Sequence, residues 1–320
     1  MRAIFAPTQS DSEDVSVATV QRPQPAAGEV LIEIAAIGVN RADLLQARGL
    51  YPSPPGWPEW LGLECAGIIA EVGDGVDHLS EGDAVCALVG GGAYAEAIAV
   101  PADLTLPVPV GLDVVAAGGL MEAACTVWSN LDAASARAGD TLVVHGGAGG
   151  IGSIAIQMAK AMGLTVIATA AGPERAALCR TWGADVGVDY LAADFVTAAK
   201  DLGGADVILD VVGGAYLERN LAALAVGGRL VVIGLMKGAR AEIDLGALMA
   251  KRAHVIGTTL RARPHAERAA IVAAVGHEVW PWVPDLVRPV IHATVPLAEA
   301  ARAHAMLRSG GVAGKVLLVP

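Results

Sequence analysis

The chain has 320 residues, of which 54% are hydrophobic and 17% charged, with a formal net charge of −11. This composition supplies apolar side chains for about two folded domains and argues against disorder. The excess negative charge would repel phosphate backbones, so nucleic acid, RNA included, is not expected as the main partner.

The first part of the chain, up to about residue 117, is predicted to be mostly β. Its apolar runs alternate in part and are separated by segments rich in Gly and Pro, a pattern typical of strands joined by turns. These runs are EVLIEIAAIGV (29–39), GIIAEVG (67–73) and DAVCALV (83–89).

Between residues 141 and 260 the pattern changes to about six units of strand and helix. The predicted strands are TLVVHGG (141–147), LTVIATA (164–170), VGVDY, DVILDVV, RLVVIG and HVIGTTL. The first helix is predicted from Ile151, Ile154, Ala155, Met158, Ala159 and Met162, which recur at helical spacing. Apolar strands separated by helices predict a doubly wound parallel sheet with both faces covered.

After residue 260 the pattern predicts a helix, a strand (VIHATV), a second helix and a last strand (KVLLV). The central α/β block is therefore flanked by two segments that could form one further domain. The predicted division is 1–117 with 261–320 for one domain, and 118–260 for the other.

Cysteine spacing and hydropathy bear on metal binding and location. The four cysteines lie far apart and form no Cys-x-x-Cys pair, so neither a redox pair nor a zinc knuckle is predicted. The start of the sequence shows no long apolar segment of a signal peptide, and no apolar run reaches the roughly 18 residues of a membrane span. A cytoplasmic location is expected.

A glycine-rich segment follows the first strand of the α/β block and fits the pattern Gly-x-Gly-x-x-Gly. It consists of Gly147, Ala148, Gly149, Gly150, Ile151 and Gly152. Glycines here allow a tight turn, close approach of a pyrophosphate and close helix packing, and the helix N-terminus offers free N–H groups to phosphates. This segment therefore predicts dinucleotide binding.

The end of the second strand, Ala168 to Gly172, lacks the acid that binds the ribose 2′-OH of NAD. Arg175, in the next turn, could face a 2′-phosphate, although it could equally be a solvated helix residue beside Glu174. NADPH is therefore favoured, and NADH remains possible.

Nearly the whole chain resembles the medium-chain dehydrogenase/reductases of the zeta-crystallin-like quinone oxidoreductase group. The resemblance rests on GVNRADLLQARGLYP (38–52), LGLECAGIIAEVGDGV (61–76), GDAVCAL (82–88), GGAYAEAIAVP (91–101), HGGAGGIGSIAIQMAK (145–160) and GKVLLVP. It implies a GroES-like catalytic domain built from both flanking segments, a Rossmann domain that binds the nucleotide, a cleft that holds nicotinamide, and a homodimer.

The sequence departs from the zinc branch of that superfamily at its ligand positions. The resemblance places Asn40 where that branch has Cys, Leu63 where it has His, and Glu122 at the third ligand position. A catalytic zinc needs three protein ligands. The resemblance therefore implies a member without zinc.

The resemblance also implies roles for individual residues. Asn40, Tyr51 and Thr126 match residues that line the nicotinamide or substrate cleft; a turn cap, a packed aromatic and a helix hydroxyl are the structural alternatives. Tyr190 matches a residue that reaches the adenosine phosphates, and Lys315 a lysine near the cleft. Gly213, Gly234 and Leu235 follow strands whose carboxyl ends bind ligands in such sheets.

Three functions are compatible with these features. The first is an NADPH-dependent reductase of quinones, which accept hydride without metal assistance because they are already electrophilic. The second is a reductase of alkenals or enones on the same scaffold. The third is a weakly catalytic NADPH-binding protein with a sensing or structural role.

Overall fold

The computed structural model describes residues 1–6 and 15–320. The strands in this part of the chain are β1 (Arg2–Phe5), β2 (Ser16–Thr19), β3 (Glu29–Val39), β4 (Glu64–Val72), β5 (Ala84–Leu88), β6 (Ala97–Pro101), β7 (Thr105–Pro107), β8 (Thr141–His145), β9 (Thr165–Ala170), β10 (Val186–Asp189), β11 (Ala205–Asp210), β12 (Leu224–Val232), β13 (His254–Gly257), β14 (Ile291–Pro296) and β15 (Lys315–Val319).

The helices lie between these strands. They are α1 (Arg41–Ala47), α2 (Val114–Ala117), α3 (Met121–Ala133), α4 (Gly150–Ala161), α5 (Pro173–Thr181), α6 (Phe195–Asp201), α7 (Leu217–Ala223), α8 (Leu245–Lys251), α9 (His265–Glu278) and α10 (Ala300–Ser309). Short 3₁₀ turns occur at Ala102–Leu104, Gly214–Tyr216, Trp280–Trp282 and Leu297–Glu299.

The chain divides into two compact units. The first combines Met1–Cys125 with Arg261–Pro320, and the second is Thr126–Leu260. The first boundary, between Cys125 and Thr126, lies eight residues after the predicted division at 117/118, and the second follows Leu260. The assignment of a catalytic and a nucleotide-binding role to these two units stays a prediction.

A mostly antiparallel sheet organises the first unit. Its strand order is β14-β15-β3-β4-β5-β7, and β6 also pairs with β3. Strand β3 is the hub, because it pairs antiparallel with β4, β6 and β15. Since β15 is antiparallel to β3 at Val316–Val39, the two separated segments of the chain share one sheet.

A fully parallel sheet organises the second unit, as the unbroken apolar runs predicted. Its order is β10-β9-β8-β11-β12-β13: the chain adds β9 and β10 on one side of β8, and then β11, β12 and β13 on the other side. The reversal lies between β8 and β11. In such sheets ligands bind outside the carboxyl ends of the strands at this switch point.

Several predicted strand ends differ from the structure, among them those of β8, β12 and β13. Strand β8 ends at His145 rather than at residue 147, because Gly146 has φ +69° and turns the chain. Strand β12 begins at Leu224, ahead of the predicted RLVVIG run, because Leu224 pairs with Ala205 of β11 before a register shift. Strand β13 ends at Gly257, so the following residues 258–260 are not strand.

Candidate functional site

The glycine-rich segment forms a tight loop between β8 and α4. The loop closes through the Gly149 N–H, which donates to Gly146 O at 2.9 Å, and helix α4 begins at Gly150 with Gly149 as its N-cap. A Cβ at Gly152 would lie 2.3 Å from Gly146 O and 2.6 Å from the Gly147 Cα. Only glycine at 152 therefore lets the helix start so close to the loop, which is the arrangement expected of a phosphate cradle.

Two further turns meet at the same edge of the sheet. Gly213, with φ +82°, follows β11, and Gly234 follows β12. The Asp210 side chain accepts the Gly213 N–H at 3.2 Å, and the Asp210 carbonyl accepts the Gly234 N–H at 3.3 Å. Leu235, next in sequence, is 57% exposed. One carboxyl-terminal strand residue thus holds two of the predicted cofactor-facing turns.

The predicted adenosine side of the site lies at the ends of β9 and β10. Tyr190 is half-buried and follows β10, with the Lys237 ammonium 6.0 Å from the centre of its ring. Arg175 is half-buried on the first turn of α5. Asp189 supplies a carboxylate near this turn that sequence reasoning missed. It accepts the Gly172 N–H at 2.8 Å and the Leu191 N–H at 3.0 Å.

In the first unit, Asn40 and Lys315 meet at a buried carboxylate. The Lys315 ammonium donates to Glu64 Oε1 and to Asn40 Oδ1, the latter at 2.7 Å. Asn40 Nδ2 donates to the same Glu64 oxygen at 2.9 Å. The three residues are buried. We name Asn40, Glu64 and Lys315 the amide–carboxylate–ammonium cluster.

The local fold makes room for this cluster. Asn40 caps α1 directly after β3, and its backbone N–H donates to Asp43 Oδ2 at 2.7 Å. Gly38 in β3 carries no side chain, and a Cβ there would lie 2.2 Å from Glu64 Oε1. The second Glu64 oxygen accepts the Glu122 N–H at 3.0 Å. Glycine at 38 is therefore required by the position of the Glu64 carboxylate.

The donor set at these positions does not fit a three-ligand zinc site. Leu63 is 1% exposed and has no donor atom, and the Asn40 oxygen accepts a hydrogen bond from the Lys315 ammonium, itself a cation. Within residues 1–6 and 15–320, no three or more His, Cys, Asp or Glu side chains are grouped so that they could hold a metal ion.

Tyr51 lies on a loop that is held in place by hydrogen bonds from Arg261. Arg261 is 5% exposed, and its guanidinium donates to Gly90 O at 2.6 Å and to Tyr51 O at 2.8 Å. It also donates to Gln46 Oε1 at 2.8 Å and to Ser53 Oγ at 3.0 Å, and it lies 4.9 Å from the Tyr51 ring centre. The half-buried Tyr51 is thus held at both its backbone and its ring.

Burial shifts the acidity of the groups around Tyr51 and Asn40. Burial and the nearby negative charge of Glu64 raise the pKa of Glu122 to about 8, so Glu122 is mostly protonated at pH 7. Burial raises the pKa of Asp43 to about 6, although hydrogen bonds from Asn40 and Tyr94 oppose the rise. Burial and the charge of Glu122 raise the pKa of Tyr51, which keeps the phenol able to donate a hydrogen bond.

The structure distributes the predicted residues over both units. Asn40, Tyr51 and Lys315 belong to the first, while the glycine loop, Arg175, Tyr190, Gly213, Gly234 and Leu235 belong to the second. Thr126 begins the second unit and is half-buried on α3. Sequence reasoning missed the contacts of Arg261 and Asp210, since neither stands in a spacing that signals its distant partners. Asp210 lies within the predicted strand DVILDVV, and only the structure shows that the strand ends there.

The second unit has a doubly wound sheet with a glycine loop at its switch point, and the same chain carries a β-rich unit. This combination is typical of oxidoreductases that bind a dinucleotide. Comparison with known families agrees with this class. The alcohol dehydrogenase GroES-like domain matches residues 26–110, and the zinc-binding dehydrogenase domain matches residues 150–275. The fold class predicted from the sequence, Rossmann plus GroES-like, is confirmed.

Similar proteins of known class show which family within this class the chain belongs to. The Rattus norvegicus quinone oxidoreductase is 35% identical over 309 residues, covering 93% of this chain and 91% of the relative. The Geobacillus stearothermophilus alcohol dehydrogenase is 31% identical and covers 95% of both chains. The structure of the Thermus thermophilus quinone oxidoreductase, described with its NADPH complex, is 32% identical with a TM-score of 0.86 and covers 100% of both chains. The chain belongs to the quinone oxidoreductase family of the medium-chain dehydrogenase/reductases.

Proposed function

We propose that this oxidoreductase transfers hydride from NADPH to a quinone without a bound metal. The observation that carries the proposal is the amide–carboxylate–ammonium cluster, in which the Lys315 ammonium donates to Asn40 and Glu64. The neighbouring buried Leu63 has no donor atom for a metal. The 35% identity to the Rattus norvegicus quinone oxidoreductase supports the acceptor class.

Quinone reduction can be supported by residues that orient the substrate and donate hydrogen bonds, without a Lewis acid. When bound, NADPH supplies the hydride. A quinone needs little activation, since hydride addition gives a delocalised hydroquinone anion that a few hydrogen-bond donors can stabilise. Tyr51 is the proposed donor to the reduced carbonyl, and Asn40 orients the reacting groups. Thr126 is proposed to contact the nicotinamide.

The glycine loop is proposed to hold the pyrophosphate, because its shape requires glycine at 152 and it opens the 12-residue helix α4. Tyr190, Gly213, Gly234 and Leu235 are proposed to contact other parts of the cofactor from the same sheet edge. Lys315 acts through Asn40 in this proposal, since its ammonium is buried on the cluster.

NADPH is proposed over NADH because Arg175 supplies a cation on the first turn of α5, shortly after β9, and the nearby Asp189 carboxylate already accepts two backbone N–H groups. Substitution Arg175→Ala is expected to raise KM for NADPH about tenfold and leave KM for NADH within about twofold, as one lost charge-assisted contact predicts. Arg180→Ala, an exposed arginine on the same helix, is the matched control. An unchanged cofactor preference in Arg175→Ala would contradict this role.

One panel separates the functional alternatives. Turnover of 1,4-benzoquinone and of simple enones is measured with NADPH and with NADH. Quinone turnover with NADPH supports the proposal, and turnover of enones alone supports the double-bond reductase. Cofactor binding without consumption across the panel supports the sensing role.

The remaining expectations stay proposals. The domain assignment is 1–117 with 261–320 for catalysis and 118–260 for nucleotide binding, and the assembly is a homodimer. In the described part of the chain, none of the helices is both long and apolar enough to cross a membrane.

A further inference from the structure

Four buried polar side chains form a continuous chain inside the second unit. They are Thr169, His145, Asn220 and Asp210, each at most 1% exposed. His145 Nδ1 lies 3.1 Å from Thr169 Oγ1, and His145 Nε2 lies 2.8 Å from Asn220 Oδ1. Asn220 Nδ2 lies 3.1 Å from Asp210 Oδ2. Three neighbouring strands, β9, β8 and β11, are linked in this way near their carboxyl ends through Asn220 of α7.

The hydrogen bonds in this chain run in one direction. Burial lowers the pKa of His145 to about 4, so the imidazole is neutral at pH 7 and carries one N–H. Because the Asn220 amide nitrogen donates to the Asp210 carboxylate, the Asn220 oxygen is left to accept from His145 Nε2–H. His145 Nδ1 then accepts from the Thr169 hydroxyl. Every link therefore has one donor and one acceptor, as a buried polar network requires.

Both ends of the chain reach turns at the sheet edge. Asp210 Oδ1 accepts the Val212 N–H at 2.6 Å and the Gly213 N–H at 3.2 Å. At the other end, the Thr169 carbonyl accepts the Gly147 N–H at 2.8 Å. The network thus connects the first glycine of the phosphate loop with the turn after β11.

Aromatic side chains fix the histidine ring in place. The His145 ring packs edge-on against Phe195, with ring centres 4.6 Å apart, and edge-on against Tyr216 at 5.1 Å. The Arg219 guanidinium lies over the Phe195 ring, 4.6 Å from its centre. The imidazole therefore has little freedom to rotate away from its two hydrogen-bond partners.

We propose that Thr169, His145, Asn220 and Asp210 are positioning residues that pre-organise the Gly147 and Gly213 turns for the dinucleotide. The inference rests on the proposed function, since it assumes that the second unit binds NADPH. Turns that are already ordered lose less conformational freedom on binding, so the network lowers the free-energy cost of binding without touching the ligand.

The test compares variants that break the network with one that only loosens the core. Asn220→Ala and His145→Phe remove links of the chain, while Leu221→Ala, next to Asn220 on α7 and 4% exposed, removes apolar packing alone. We expect the Kd for NADPH, measured by fluorescence titration, to rise about tenfold in the first two, which is about 1.4 kcal/mol. Leu221→Ala is expected to stay within about twofold.

A conservative variant and a ligand-free measurement complete the test. His145→Gln keeps one donor and one acceptor, and its Kd is expected within about threefold of the parent chain. Without cofactor, hydrogen–deuterium exchange at Val212 and Gly213 is expected to accelerate in Asn220→Ala and not in Leu221→Ala. Equal Kd values and equal exchange in those two variants would overturn the proposal. If the parent chain binds neither NADPH nor NADH, the proposed function fails, and the exchange comparison alone decides the positioning role.

Discussion

The Lys315 ammonium donates to the Asn40 amide oxygen at 2.7 Å, deep inside the first unit, and both groups share the Glu64 carboxylate. The ion pair is fully desolvated, since the Lys315 and Glu64 side chains are 3% and 0% exposed. Removing one partner of such a pair leaves a buried charge without compensation. The orientation of Asn40 and the stability of the unit thus depend on the same lysine.

The first prediction follows for Lys315→Met. The free energy of unfolding, measured by urea titration, is expected to fall by about 3–5 kcal/mol, because Glu64 keeps its buried charge and loses its cation. The double variant Lys315→Met, Glu64→Gln removes both charges and should recover a large part of that loss. A single variant as stable as the parent chain would show that the pair contributes nothing to folding.

The second prediction concerns the loop that carries Tyr51. Lysine at 261 has three donors on one nitrogen and cannot serve the four separate acceptors that the Arg261 guanidinium contacts. Arg261→Lys is therefore expected to lower kcat for quinone reduction about tenfold, with KM for NADPH nearly unchanged, because a misplaced Tyr51 affects the reacting groups. Arg263→Lys, two residues on and paired with Glu267, is the control. Steady-state kinetics with saturating NADPH provide both values.

The third prediction concerns pH. The folded pKa of His145 is about 4 and lies below its ordinary value of 6.5, so the unfolded chain binds the proton first as the pH falls. Stability from this group is complete above about pH 6.5 and is lost between about pH 6.5 and 4. Urea unfolding of the parent chain and of His145→Gln should show the parent losing roughly 2 kcal/mol more between pH 7 and pH 4.5. His78→Gln replaces an exposed histidine and is the control variant.

Buried carboxyl groups act in the opposite direction, which is why a comparison of variants is needed. The folded pKa of Asp43, about 6, and that of Glu122, about 8, lie above their ordinary values. The folded chain binds these protons more tightly than the unfolded chain. The stability that they contribute is therefore lost as the pH rises from 3.8 to about 6 for Asp43 and from 4.5 to about 8 for Glu122. They are present in both the parent chain and His145→Gln, so the difference between the two isolates the histidine. An NMR titration of the His145 ring gives the pKa directly.

The fourth prediction concerns the proposed homodimer. Strand β13 ends the parallel sheet, so one side of it is an unpaired edge in the described structure. Helix α8 has no buried residue, and Met249 and Leu245 are 76% and 62% exposed. Apolar exposure next to a free strand edge favours pairing with a second copy. Val255→Lys with Met249→Lys should shift the mass measured by light scattering from dimer to monomer. Val110→Lys, at a 96% exposed valine in the first unit, should leave the mass unchanged.

Elements with a strong local pattern could be predicted from the sequence. Strand β3 has the predicted bounds, Glu29–Val39, because its side chains are apolar almost throughout and its ends are set by glycine and asparagine. Helix α4 agrees to within one residue at each end, because its apolar positions recur at helical spacing and Gly149 precedes it.

The contacts that define the candidate site could not be predicted in the same way. Lys315 and Asn40 lie at opposite ends of the chain and meet only because β15 pairs with β3. Asp210 and Asn220 belong to different elements, and no periodicity joins them. Residue type and local spacing carry no information on such pairs, so the sequence favoured Lys315 only through its resemblance to a family and offered no partner for Arg261.

The pairing of β15 with β3 has a consequence for how the protein is made. Strand β3 is complete at Val39, but its neighbour β15 is not synthesised until residues 315–319. The second unit, Thr126–Leu260, is continuous in sequence and leaves the ribosome whole in the meantime. During translation the second unit can therefore fold first, while strand β3 of the first unit still lacks its neighbour β15.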